Sequence, residues 1–146
     1  MMNILLSCAV AGLVLSAAPQ SPARRDLDAL QGTWVAVSME RNGRPLPANR
    51  YQDGRLVMDG ETFTYFDENR VATRGIRTLD PTQTPCALDD LHTVGPFKGK
   101  TYHGIYRLQG DTFTTCNGSA GSARPTGFAT RPGTGLLLIV YKRAKP

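Results

Sequence analysis

The stretch DLDALQGTWVAVSME, residues 26–40, decides how the rest of the chain is read. A short acidic and apolar segment runs into Gly32, then into Trp34, the only tryptophan of the chain. Asp26 is placed to cap a brief helix over Leu27–Gln31, since a short acceptor side chain satisfies the first free N–H groups of a helix. Gly32 is placed to end it, because glycine leaves a helix through conformations that a Cβ disfavours. From Thr33 the pattern alternates with period two, which is the signature of a strand with two unlike faces.

The same period continues downstream. Strands are expected over 33–41, 55–59, 62–66, 70–79, 86–93, 101–108, 112–116 and 136–143. Turn residues separate them, among them Asn42-Gly43, Asp59-Gly60, Asp80-Pro81 and Gln109-Gly110-Asp111. Most connections are hairpin-short, which favours antiparallel neighbours in chain order. Two are long: 42–54, with a helical turn expected near Ala48–Gln52, and 117–135, rich in Gly, Ser and Pro. About eight such strands suffice to close a small up-and-down barrel. The expected fold is therefore all-β, an antiparallel barrel with a short N-terminal helix.

The 146 residues suit one domain. Ile4–Ala18 is apolar and uncharged, shorter than the roughly 20 residues that span a bilayer. Ser16-Ala17-Ala18 supplies the small residues of a cleavage site. The expected organisation is an export signal over 1–18, a polar linker over 19–25 and a barrel domain over 26–146, with no membrane span once the signal is removed. Retention of the segment as an anchor is the alternative. Cys8 follows Leu5-Leu6-Ser7, but most of the apolar run lies after it, so it is read as part of the signal rather than as a lipid attachment site. The expected location is periplasmic or extracellular. The net charge of +5 comes from 17 basic and 12 acidic residues, all after the signal. The arginines are scattered and form no basic stripe with interleaved aromatics, which argues against nucleic acid.

On the first strand Trp34, Ala36, Ser38 and Glu40 share one face, and Val35, Val37 and Met39 the other. If Trp34 points inward, the wall above it turns small and polar, as in a partly open pocket. If the Val and Met face points inward, the barrel is a plain apolar core. Phe63 and Tyr65, with Tyr102, Gly104, Tyr106 and Leu108, are further candidate lining residues, and they serve equally well as core filler.

Catalytic signatures are absent: there is no Gly-x-Ser-x-Gly, phosphate loop or HExxH. Asp89 and Asp90 alternate across a strand and cannot share a substrate. His92 and His103 are expected to be exposed and on opposite faces. Cys86 and Cys116 are expected at opposite ends of the sheet, too far apart for a disulfide. No catalytic residue, metal or cofactor is expected.

With the strands laid out, LQGTWVAVSMERNGRPLP (30–47) resembles a planctomycete paralogous family of small, uncharacterised, lipocalin-like proteins. So do LDPTQTPCALDD (79–90), GPFKGKTYHGIYRLQGDTFTTC (95–116) and RPTGFATRPGTGLLLIVYKRAKP (124–146), in the same order. The resemblance implies a lipocalin-like barrel and no known activity. Gly32-Thr33-Trp34 looks like the G-x-W that opens the first lipocalin strand. It implies that Trp34 faces inward and closes one end of the barrel against a basic side chain of the last strand, for which Arg143 is favoured. Asp89 and Asp90 depart from the pattern by standing inside a strand. Two functions follow as expectations. One is a module binding a small apolar or amphipathic molecule, with Trp34, Ser38, Glu40, Phe63, Tyr65 and Tyr106 as lining. The other is an interaction or inhibitor-like module that meets an exported protein through the two long loops.

Overall fold

The computed structural model describes residues 12–146. Residues 1–11, which hold the first part of the expected export signal and Cys8, lie outside the described residues. Helix α1 spans Pro22–Leu30, and the strands are β1 (Gly32–Arg41), β2 (Arg44–Pro45), β3 (Gly54–Asp59), β4 (Thr62–Asp67), β5 (Arg70–Asp80), β6 (Cys86–Val94), β7 (Thr101–Gln109), β8 (Thr112–Asn117) and β9 (Leu137–Arg143). A 3-10 turn at Ala48–Arg50 lies in the first long connection. Every pairing is antiparallel, and β1 pairs with both β3 and β9, so eight strands close into a lipocalin-like barrel. The short β2 only folds back on β1.

Helix α1 begins earlier than expected. Ser21, not Asp26, is the N-cap, its hydroxyl accepting from Arg24 N–H at 3.2 Å, and Pro22 takes the first helical position. The first turn of α1 thus occupies Pro22–Arg25 of the expected linker. Proline suits that turn because its missing N–H has no intrahelical partner there. Asp26 sits mid-helix and instead accepts the Tyr106 hydroxyl at 2.6 Å.

The interior is built from alternate residues of each strand. Trp34, Leu56, Met58, Phe63, Leu79, Leu88, Tyr106, Phe113, Ile139 and Tyr141 form the buried core, and Leu27 and Leu30 of α1 plug one end. Trp34 is wholly buried, its indole N–H donating to Leu30 O at 2.8 Å. Arg143 lies over that ring at 4.3 Å and donates 2.7 Å bonds to Gln31 O and Ala29 O. It thereby satisfies carbonyls that a helix end leaves free and places a positive charge at the negative end of the helix. Gly32 turns the chain out of α1 at φ +108, a backbone conformation that residues with a Cβ rarely adopt. The expected floor of Gly32, Trp34 and Arg143 is present.

One register feature overturns part of the expected lining. Ala36 pairs with Tyr141 but Ser38 with Val140, so Val37 is an extra residue in β1. Such a bulge flips the alternation beyond it. Met39 therefore packs against the core, while Ser38 is exposed and Glu40 turns outward to meet Thr130.

Candidate functional site

The end of the barrel opposite α1 is open. A cavity of about 390 Å3 enters there, lined by Met39, Leu137 and Ile139 on one side and by Tyr65, Thr73, Asp90, His92, Phe97, Tyr102 and Asn117 on the other. Gly118, Ser119 and Ala120 form part of its rim, with Arg41. A second recess of about 320 Å3, between Met39, Tyr51, Leu56, Tyr65, Phe66 and Tyr141, shares Met39 and Tyr65 with it. Pockets of this size and mixed lining suit a small molecule.

Below the cavity lies a polar layer absent from the expected set. Arg77 is 1% exposed and Asp90 4%. They face each other across β5 and β6, and the guanidinium grips both carboxylate oxygens at 2.8 Å. Phe63 and Phe113 flank the guanidinium at 5.3 and 5.5 Å. Burial works against the Arg77 charge, but the Asp90 charge and hydrogen bonds outweigh it and hold the group above its ordinary pKa. Beside them the hydroxyls of Tyr65 and Tyr141 share a hydrogen bond. Burial raises both phenols, Tyr141 most, so the pair is neutral and protonated.

His92 is buried, which corrects its expected exposure. Hairpin register explains this: Asp90 pairs with Tyr102, so His92, two residues on, faces the interior with them. Its ring meets Phe63 and Phe97 edge-on, at 5.1 and 5.7 Å, and Tyr102 at 4.8 Å. Thr73 donates its hydroxyl hydrogen to Val94 O, so the 2.9 Å contact between Thr73 Oγ1 and His92 Nδ1 has the imidazole N–H as donor. That fixes the tautomer and leaves Nε2 as an acceptor. Burial lowers the His92 pKa, Arg77 lowers it further and Asp90 opposes them.

Of the expected lining residues, Tyr65 borders the cavity and Phe63 lies beneath it against His92. Trp34 and Tyr106 belong to the closed half of the core, and Ser38 and Glu40 lie outside. Sequence reasoning missed Arg77, whose opposite number Asp90 it took for an obstacle to register. The available signal was that one ion in a buried strand face needs a partner of opposite sign.

Asp89 and His103 sit on the outer face, as alternation requires, joined at 2.7 Å. Arg124 of the long loop bonds Asp89 at 2.9 Å and the carbonyls of Leu88 and Gly104 at 2.8 Å. These bonds outweigh the effect of burial and lower the Asp89 pKa. Cys86 and Cys116 are free. They are not at opposite ends of the sheet: Cys86 pairs with Tyr106, Tyr106 with Thr115, and Cys116 with the adjacent Ile105. The strands of a closed barrel are staggered, which brings the two to nearly one level. They point to opposite faces, with β7 between them.

No family model matches the chain, and no curated protein matches it in sequence. Among the described residues there is no helix long and apolar enough to cross a membrane.

Proposed function

We propose that the chain is an exported member of the small lipocalin-like family it resembles, acting in the periplasm or outside the cell as a non-catalytic module that binds one small amphipathic molecule. The observation that carries this reading is the open cavity of about 390 Å3, apolar on the Met39–Ile139 side and polar on the Asp90–His92–Asn117 side. The floor below it is tied internally, by Arg77 to Asp90 and by Tyr65 to Tyr141. Such a floor is suited to orienting a ligand.

The interaction-module reading needs loops free to meet a partner. The long connection before β9 is instead strapped to the barrel: Arg124 holds three acceptors, Thr130 bonds Glu40 and Gly43 N–H, and Asn42 takes Gly135 N–H.

Native mass spectrometry of the protein recovered from the exported fraction tests the proposal. The expected result is a retained molecule of a few hundred daltons on the wild type and none on Ile139→Trp, which fills the cavity. Repeated recovery of unliganded wild type, or equal retention by both, would contradict it.

A further inference from the structure

Resting on the ligand-binding reading above, we infer that the open-end cavity selects an uncharged head group that donates hydrogen bonds, a hydroxyl or an amide on an apolar body, and rejects carboxylates and ammonium groups. Three observations lead there.

The first is an excess of acceptors. Asn117 Oδ1 is buried and has no hydrogen-bond partner among the described residues. Asn117 lines the cavity. Its oxygen sits where a Cβ on Gly104 would stand only 1.9 Å away, so the glycine opposite makes room for it. His92 adds a second acceptor, since Nδ1–H is spent on Thr73 and Nε2 has no protein partner among the described residues. A buried acceptor left without a donor is costly, and a ligand N–H or O–H would remove that cost.

The second concerns negative charge. Asp90 lines the cavity and Arg77 does not. The remaining face of the guanidinium turns away, with Nη1 directed at Met58 Sδ, 3.7 Å off, among the closed-end residues. An entering carboxylate would therefore meet the Asp90 carboxylate and the Asn117 and His92 acceptors, and Arg41, exposed at the rim, is too well screened by water to offset them.

The third concerns positive charge. Asp90 is already held by both guanidinium bonds, so the polar layer carries no net negative charge to compensate an ammonium losing its water.

The test compares four eight-carbon probes on the full barrel at pH 7.5 by ligand-detected NMR: octan-1-ol, octanamide, octanoate and octylamine. The expected order places the alcohol and the amide at least tenfold tighter than either ion. Asn117→Leu, close in size, is expected to weaken octan-1-ol at least fivefold while keeping the amide spectrum of the fold, and to leave any weak octanoate binding unchanged. Octanoate or octylamine binding as tightly as the alcohol, or an unaffected Asn117→Leu, would overturn the selectivity and leave the cavity as a binding site. Failure of all four probes to bind would overturn the selectivity and the ligand-binding reading together.

Discussion

Arg77 on β5 and Asp90 on β6 are direct cross-strand partners whose side chains meet inside the barrel, with two bonds of 2.8 Å and almost no exposure to solvent. Such a pair gains little net stability over well-packed apolar residues, yet either ion alone is strongly unfavourable there. Asp90→Leu is expected to destabilise the fold by about 3–5 kcal/mol. Arg77→Met with Asp90→Leu should recover most of that loss. Urea unfolding of the single and double variants measures the difference. A double variant as unstable as the single would mean that the pair is not the reason for the cost.

The closed end makes a separate prediction. Trp34 fills the floor and Arg143 joins its ring to the helix carbonyls. Trp34→Ala should cost about 3–5 kcal/mol, as for a fully buried aromatic. Arg143→Ala should cost about 2 kcal/mol, from a cation–π contact and charged hydrogen bonds. Arg143→Lys should recover less than half, because an ammonium cannot lie flat on the indole and fork to two carbonyls at once. Thermal or urea unfolding reads all three.

His92 sets a pH dependence. Its ordinary pKa is 6.5 and burial lowers it in the folded state. The unfolded chain then binds more protons than the folded one in the window just below 6.5. The stability contribution is complete above that value and falls as the pH drops toward the folded pKa. Stability measured from pH 7.5 to 5 should decline, and His92→Asn should flatten that part of the curve. An imidazole NMR titration placing His92 above 6.5 would contradict the assignment.

How far the sequence could be read follows from where its periods hold. Each of the eight barrel strands was legible within a residue or two, because alternation and turn chemistry are local and agree along β3 to β9. The floor was legible as well, since Gly32, Trp34 and a basic residue of the last strand sit at recognisable places. The cavity wall was not. A single extra residue, Val37, reverses the face of everything after it in β1, and nothing in VAVSME marks which residue bulges. The Arg77–Asp90 pair was hidden for a related reason. Its partners lie on different strands, and only the β5–β6 register, itself shifted between Arg74 and Gly75, puts them opposite each other.

The bulge carries its own prediction. With Met39 inward and Ser38 outward, Ser38→Ala should leave probe binding unchanged. Met39→Trp should reduce it at least tenfold while the barrel stays folded. Binding isotherms with octan-1-ol compare the two. Loss of binding in Ser38→Ala with little effect of Met39→Trp would restore the unbulged face.

Amide NMR of the barrel titrated with octan-1-ol tests the central claim most directly. The account predicts saturable shifts clustered on Met39, His92, Tyr102, Asn117 and Leu137 at the open end, with Trp34 and Phe113 at the closed end unmoved. Shifts gathered instead on the outer face around Asp89, His103 and Arg124, or no saturable shifts at all, would contradict it.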